Sequence, residues 1–169
     1  MDEIAVAAGL TRSTLYLHYR DKAEILREVI SDYAPKAQAA LANLPGPRPK
    51  LDAIARWVKS VSKFVAKERV PLSIIVELRR DPDTMATLED LTEGLLLGLG
   101  QNNAPFREAA NRDARPGLRA RALMLLQELT FACEYYLDDT ESSLGSALLQ
   151  VTARDFHQFL TAPAVVGAD

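Results

Sequence analysis

What this sequence has little of excludes several classes of protein. Its single cysteine, Cys133, has no partner for an intrachain disulfide, and with only two histidines a His/Cys metal site lacks ligands. Apolar runs such as Ala122 to Leu126 are far shorter than a membrane span. The first residues also do not show the pattern of a signal peptide, in which a basic segment is followed by an apolar one. We therefore expect a cytoplasmic protein without cofactor, metal or membrane segment, in which Cys133 is a buried structural thiol rather than a redox sensor.

The sequence also lacks a strong excess of positive or negative charge. The 20 Lys and Arg against 23 Asp and Glu give a net charge of -3, which argues against a surface coated in basic residues for nonspecific nucleic-acid binding. The hydrophobic fraction of 48 % over 169 residues is enough for one sizeable core.

The regular spacing of apolar residues predicts helices. No segment alternates apolar and polar residues with the period of a strand, and Gly and Pro separate the helical stretches. About six helices are predicted, near 22–43, 50–68, 72–80, 84–101, 117–137 and 141–161. This pattern indicates an all-α fold.

The first 30 residues have the pattern of a helix-turn-helix. Residues 2–8 place Ile4, Ala5 and Ala8 on one helical stripe, and Gly9 can adopt the left-handed backbone that ends a helix. Thr11 then offers a hydroxyl to cap the next helix. A turn this short that contains glycine is typical of a helix-turn-helix.

The second helix of this unit carries a polar face. One sector combines side chains that suit phosphates, base edges and thymine methyl groups. These side chains are Arg12, Ser13, Tyr16, Leu17 and Arg20. Leu15 and Tyr19 lie on another sector and are expected to face the core. Asp21 with Glu24 three residues later has the form of a capping box, which predicts a third helix that buries Ile25, Leu26 and Val29.

From Ile4 to Leu26 the pattern Ile-Ala-x-Ala-Ala-Gly-Leu-Thr-x-x-Thr-Leu-Tyr-x-His-Tyr-x-Asp-Lys-x-x-Ile-Leu resembles the DNA-binding signature of TetR-family transcriptional regulators. The resemblance implies a homodimeric repressor that binds a palindromic operator in double-stranded DNA and releases it when a small-molecule effector enters the C-terminal domain. It also implies roles for single residues. Tyr16, His18 and Lys22 would hold phosphates, Arg12, Ser13 and Leu17 would approach the bases, and Thr11 would cap the recognition helix and reach a phosphate.

The resemblance divides the chain into three parts. These are a helix-turn-helix region over 1–30, a helical ligand-binding and dimerisation domain over 31–161, and a flexible tail over 162–169. Regulators of this kind begin with another helix that packs across the helix-turn-helix, and we expect that helix to be missing before Met1. A start codon assigned too late, a sequence that lacks its N-terminal segment, and a natural variant that no longer binds DNA are three explanations.

Local charge bears on the strength of DNA binding. Residues 11–22 carry three basic residues against one acidic residue, a net charge of +2, whereas residues 1–30 carry four against five, a net charge of −1. Because neutralised phosphates contribute much of the affinity for DNA, the chain should bind less tightly than a form with a basic N-terminal arm.

The stretch near 117–137 is apolar nearly all round, and the last helix repeats this pattern more weakly. A helix of this kind is buried on nearly all sides, so one face would serve the protomer core and another a partner subunit. The dimer interface is expected to include Leu123, Leu126, Leu148, Val151, Phe156 and Phe159. A central helix buried within a monomer is the alternative.

A ligand pocket is expected between the helices near 50–68 and 117–137. Its predicted lining is Trp57, Val61, Phe64, Phe131, Glu134 and Tyr135. Aromatic rings with one acidic group would suit a small apolar or cationic molecule. The same residues could form ordinary core, with Glu134 solvated or paired.

Catalytic patterns are scarce. His157 is expected at the surface or an interface, and a Cys133 and His157 pair is a weak candidate for a nucleophile and its base. The glycines of Gly94-Leu-Leu-Leu-Gly98-Leu-Gly100 lack the Lys-Ser or Lys-Thr of a phosphate-binding loop, so they predict a close helix crossing and a helix end at Gly100. A ligand-responsive DNA-binding regulator is the leading hypothesis. A helical dimeric small-molecule-binding module that lost DNA binding through N-terminal truncation is the alternative, and a helical enzyme is a third.

Overall fold

The computed structural model describes residues 5, 9, 11–78, 82–138 and 143–162, and within these ranges it contains helices and no strand. The all-α prediction is confirmed. The helices are α1 (Arg12–His18), α2 (Lys22–Ala42), α3 (Leu51–Lys67), α4 (Arg69–Leu78), α5 (Met85–Leu99), α6 (Ala104–Ala110), α7 (Pro116–Asp138) and α8 (Ser143–Thr161). A 3-10 turn, Pro82–Thr84, precedes α5. None of the described helices combines the length and apolarity that crossing a membrane requires.

Helix α6 was not predicted from the sequence. Its seven residues are too few for a periodic apolar pattern, and Pro105 indicated a connection rather than a helix. Pro105 instead occupies the first turn of α6, where its missing N–H leaves no hydrogen bond unmade. In the same way, Pro71 lies within the first turn of α4, which therefore begins before the predicted position.

The main core lies between α2 and α8 and contains a group of aromatic rings. Phe156 of α8 is completely buried, with its ring centroid 5.2 Å from that of Trp57 and 5.6 Å from that of Phe106. The Phe106 ring also lies 4.8 Å from that of Phe159. Phe106 thus anchors the short helix α6 through partners that lie about fifty residues later in the chain.

Helices α2 and α5 cross closely, as the glycine pattern predicted. A Cβ atom at Gly98 would lie 3.0 Å from the carbonyl oxygen of Gln38, and one at Gly94 would collide with the Gln38 side chain. Gly100 caps the C-terminal end of α5, and its N–H donates to the carbonyl of Leu96. Both predictions for these glycines are confirmed.

A second, smaller apolar cluster holds the N-terminal region. It consists of buried Ala5, Leu15 and Ile25, with Tyr19 and Val29 packed against them. Leu15 and Tyr19 therefore face inward as predicted, whereas Ile4, Ala8 and Leu10 lie outside the described residues. Helix α2 contributes to both clusters and runs without a break through the boundary that we predicted at residues 30 and 31. Most of the predicted tail, 163–169, also lies outside the described ranges.

Candidate nucleic-acid interface

Local hydrogen bonds define the start of α1. Gly9 has a positive φ of 66°, the left-handed conformation expected where a turn follows a helix. Thr11 is extended, and its side-chain oxygen accepts from the Thr14 N–H at 3.1 Å. Its carbonyl accepts from the Leu15 N–H at 3.1 Å. The predicted N-cap is confirmed, and it orients α1 independently of distant contacts.

A second cap sets the angle between α1 and α2. The Asp21 carboxylate accepts from the Glu24 N–H at 2.7 Å, and the Glu24 carboxylate accepts from the Arg20 N–H at 2.6 Å. The reciprocal capping box is confirmed, although Glu24 reaches back one residue beyond the cap itself. A contact that sequence analysis missed joins the same two helices. A hydrogen bond with Glu28, followed by burial, raises the pKa of the Tyr19 hydroxyl.

The outer face of α1 carries the predicted DNA-contacting side chains. Arg12, Ser13, Tyr16 and Leu17 are all exposed, and 83 % of the Leu17 surface is accessible. The guanidinium carbon of Arg12 lies 5.4 Å from the centroid of the Tyr16 ring, a cation–π contact that holds the two side chains on one face. Such a combination can read base edges and thymine methyl groups.

The remaining predicted DNA contacts lie around this face. Thr11 is exposed at the N-terminal end of α1, where its hydroxyl is occupied by the cap. His18 is exposed on the opposite side of α1, and Lys22 is half-buried at the start of α2. The structure thus groups Arg12, Ser13, Tyr16 and Leu17 and leaves His18 and Lys22 at the periphery.

A capped helix that follows a short glycine turn and has an exposed outer face is typical of the second helix of a helix-turn-helix. The sequence model described as bacterial regulatory proteins, tetR family, matches residues 1–29. This match supports a DNA-binding regulator of the TetR type. Among curated proteins and solved structures, no significant match to the chain was found.

The residues predicted to line a ligand pocket do not surround one cavity. Trp57 lies in the aromatic core, whereas Val61 and Phe64 line a cavity of about 40 Å³ beside Tyr33. That volume is far below the roughly 300 Å³ of the smallest usual ligand pockets. Phe131 and Tyr135 are exposed on α7, with ring centroids 6.1 Å apart. Glu134 lines a different cleft.

This cleft, which we call the Glu134 cleft, has a volume of about 320 Å³. It is lined by Val65 of α3, Arg69, Ser73 and Glu77 of α4, and Glu134 and Leu137 of α7, among others. The cleft mixes apolar walls with charges of both signs. Sequence analysis found only Glu134, because nothing in the pattern indicates that α4 packs beside the end of α7.

The Glu134 cleft adjoins a polar link to α2. Glu68, at the junction of α3 and α4, is buried, and its carboxylate lies 3.7 Å from the Lys36 ammonium. Lys36 also pairs with Asp32 at 2.6 Å. The junction of α3 and α4, which borders the cleft, is therefore joined by an ion pair to α2, the helix that follows the recognition helix α1.

The predicted interface residues divide between core and surface. Leu126 is 6 % exposed and Phe156 is 0 % exposed, so the structure places both in the protomer core instead of on a surface that a partner could reach. Leu123 and Phe159 pack against that core, and Leu148 is half-buried. Val151 is exposed. The sequence pattern could not separate these positions because both faces of α7 and α8 are apolar.

Exposed and half-buried side chains on one side of α7 and of α8 nevertheless define a surface that we call the α7–α8 face. Its residues on α7 are Arg121, Met124, Glu128, Phe131 and Tyr135, and those on α8 are Leu144, Leu148, Val151 and Asp155. Phe131 is 56 % exposed. Met124, Phe131, Leu144 and Val151 are its exposed large apolar side chains, and groups of exposed apolar residues are typical of protein contacts.

The described residues supply little for catalysis. None of them form a cluster of three His, Cys, Asp or Glu side chains that could hold a metal ion. Cys133 is completely buried, and burial followed by the charge of Glu134 raises the pKa of its thiol to about 12. A protonated, inaccessible thiol is a structural residue and is unsuited to attack a substrate.

Proposed function

We propose that this chain is a cytoplasmic, ligand-responsive repressor that binds a palindromic operator as a homodimer. The observation that carries the proposal is the capped helix α1 with Arg12, Tyr16 and Leu17 directed outward. A leucine as exposed as Leu17 contributes nothing to the protomer core, whereas it can contact a thymine methyl group in the major groove.

Each residue of the interface has a proposed role. Arg12, Ser13 and Leu17 contact base edges, and the cation–π contact orders the Arg12 guanidinium before DNA binds. Tyr16, His18 and Lys22 contact phosphates around that face. Thr11 caps α1, and the partial positive charge at this helix end favours a nearby phosphate.

Dimerisation through the α7–α8 face would give an assembly that contains two copies of α1. A two-fold axis brings the same face of each copy into the interface, so the exposed apolar side chains of both copies would be buried. The two recognition helices can then enter successive major grooves when their separation matches one turn of DNA.

The Glu134 cleft is the proposed effector site. Its volume of about 320 Å³ falls within the range of small-molecule pockets. Val65, Arg69 and Leu72 line the cleft immediately around Glu68, whose carboxylate faces Lys36 of α2. An effector that shifts this junction would favour another orientation of α2, and so another separation of the recognition helices.

The DNA contacts can be tested on operators selected by the protein from random duplexes. Arg12→Ala should weaken binding by about 1–3 kcal/mol and relax specificity at one base position, because a base contact is lost. Lys22→Ala should weaken binding to all sequences and reduce the salt dependence, because one phosphate contact is lost.

Arg56→Ala is the matched control, since Arg56 is an exposed arginine of α3 that pairs with Asp52. If Arg12→Ala and Tyr16→Ala had the same affinity for the operator and the same salt dependence as the control Arg56→Ala, the roles assigned to α1 would be incorrect.

A further inference from the structure

Positive charge is concentrated in one part of this chain. Residues 48–69 carry seven basic residues against two acidic ones, a net charge of +5, whereas the rest of the chain carries 13 against 21, a net charge of −8. Helix α3 alone contributes four of these basic residues against one acidic residue. The overall charge of −3 therefore conceals a basic region.

Three lysines form a row on the outer face of α3, and we call this row the α3 lysine stripe. Lys59, Lys63 and Lys67 follow one another at intervals of four residues, so they lie on one side of the helix, about 6 Å apart along its axis. All three are exposed. Ile54 and Val61 lie on the opposite side of α3 and are buried in the main core. Packing therefore directs the stripe towards solvent.

The stripe lacks the acidic neighbours that other basic residues of this protein have. Lys36 pairs with Asp32, and Arg56 pairs with Asp52, in each case with an acidic residue four positions earlier. No acidic residue stands three or four positions from any lysine of the stripe. Within the described ranges, none of the three lysines forms an ion pair. Like charges four residues apart destabilise a helix, so the stripe is a surface without internal compensation.

Nearby helices do not supply the missing negative charge. Lys59 lines a cleft of about 240 Å³ between α3, α7 and α8, and the other residues that line it include no Asp or Glu. At the other end of α3, Glu68 is buried and faces Lys36 of α2. The helix dipole favours Lys67 in the last turn of α3, but it does not favour Lys59 and Lys63 farther from that end.

The composition of this face indicates which kind of anion fits it. Ammonium groups bind phosphates as point charges and carry no sequence information. Protein interfaces are depleted of lysine and rely on aromatic or apolar anchors, whereas single-stranded nucleic acids stack on aromatic rings. The aromatic residues of α3, Trp57 and Phe64, are buried and half-buried. Because the apolar face of α3 is also buried, the helix cannot insert into a lipid surface.

We propose that the α3 lysine stripe binds the phosphate backbone of duplex DNA independently of base sequence. The inference rests on the proposed DNA-binding function and adds a second contact surface outside the helix-turn-helix. Three lysines can neutralise up to three phosphates per chain, and the release of counterions favours binding at low salt. The stripe thus supplies positive charge that residues 1–30, with a net charge of −1, do not supply.

A neutral triple variant tests the proposal. Lys59→Gln, Lys63→Gln and Lys67→Gln together should lower the affinity of the whole chain for a duplex of arbitrary sequence at least about tenfold at low salt. The slope of log affinity against log salt concentration should decrease by roughly 2 to 3 per chain, because three phosphate contacts are lost. Fluorescence anisotropy at several salt concentrations measures both quantities, and unchanged values would overturn the proposal. Arginine at the same three positions keeps the charge and should retain binding.

A second triple variant separates the position of the charges from their number. Arg56→Gln, Arg112→Gln and Arg115→Gln remove the same total charge from exposed arginines that already pair with acidic residues. Affinity for the same duplex should decrease much less. An equal loss in the two triple variants would show that only the net charge matters, and it would overturn the proposal. Circular dichroism of each variant shows whether it retains its helices.

Other polyanions can replace DNA in the same titrations. Phosphatidylcholine vesicles that contain phosphatidylserine represent an anionic membrane, and poly-glutamate represents an acidic protein segment. If the glutamine variant lost binding to either probe while its binding to duplex DNA stayed unchanged, the stripe would have another partner and the proposal would be overturned.

This proposal and the proposed repressor can fail separately. If the unmodified chain selects no operator but the stripe still determines its affinity for arbitrary duplexes, the repressor is refuted and the stripe is supported. If the chain binds an operator and the glutamine variant matches the unmodified chain on every duplex, the stripe alone is refuted.

Discussion

The two apolar clusters of this protein differ in how they hold the chain. The N-terminal cluster joins α1 to the start of α2 through Ala5, Leu15 and Ile25, and the side chains of Thr11 and Asp21 cap the two helices. The main cluster draws on every helix from α2 to α8. Local order in the recognition element therefore comes from short-range bonds, whereas global stability comes from long-range packing.

The largest effect should come from the aromatic centre of the main cluster. Phe156→Ala removes a completely buried ring that contacts Trp57 and Phe106, and it should lower the free energy of unfolding by about 3–5 kcal/mol. Urea unfolding followed by circular dichroism measures the loss. Val70→Ala, at a residue that is 70 % exposed, should change stability by less than about 0.5 kcal/mol. Equal losses in the two variants would contradict the proposed core.

Shortening a buried side chain of the N-terminal cluster should lower stability less, and the effect should be confined to that region. Leu15→Ala should cost about 2 kcal/mol and speed amide hydrogen exchange in α1, because that cluster has few other buried side chains. Exchange in α7 should stay unchanged. Leu17→Ala, on the exposed face of the same helix, is the control. If Leu15→Ala accelerated exchange in α7 to the same degree, the two clusters would form one cooperative unit.

Removing a cap should perturb α1 less than removing its buried leucine. Thr11→Ala eliminates the acceptor for the Thr14 N–H and should cost about 1 kcal/mol in the local stability of α1. Hydrogen exchange of the Thr14 amide measures this loss. Thr11→Ser keeps the hydroxyl and should retain most of the protection, and equal exchange in the serine and alanine variants would show that the cap contributes nothing.

High pH should weaken the main cluster by a small amount. Burial raises the pKa values of Cys133 and Tyr33 to about 12, so the folded state keeps protons that the unfolded state begins to lose near pH 9. Stability therefore falls as pH rises from about 9 towards 12, and the thiol contributes a loss of about 0.4 kcal/mol at pH 9. Urea midpoints at pH 7 and 9 should differ less in Cys133→Ala than in the unmodified chain. Identical shifts would contradict a protonated buried thiol.

The smallest effect should come from the Lys36 and Glu68 pair beside the Glu134 cleft. Lys36→Met leaves the Glu68 carboxylate without this ammonium, but Lys36 is nearly half exposed and solvent screens the pair. We expect a loss of stability smaller than that of the cap, with Lys63→Met as an exposed control. A double-mutant cycle with Glu68→Gln measures the coupling. Additive single effects would show that this contact does not connect the cleft to α2.

Features that depend on neighbours in sequence were predictable. The Thr11 cap, the Asp21 and Glu24 box and the left-handed Gly9 each involve residues at most four positions apart or a single backbone conformation. Helix α6 was missed because Phe106 finds its partners on α8, far along the chain. The predicted effector pocket included Phe131 and Tyr135 because helical spacing alone does not tell which apolar stripe of α7 faces inward.

The amino-acid sequence by itself determined the helical class, the two caps around α1, and the match of residues 1–29 to the tetR-family model, since these depend on local spacing and on a short motif. Only the tertiary structure decided that Leu126 and Phe156 belong to the core, that Glu134 lines a cleft with α4, and that Phe131 lies exposed on α7. The physical reason is that burial depends on which distant helices pack together, and a helix that is apolar on two faces is compatible with more than one packing.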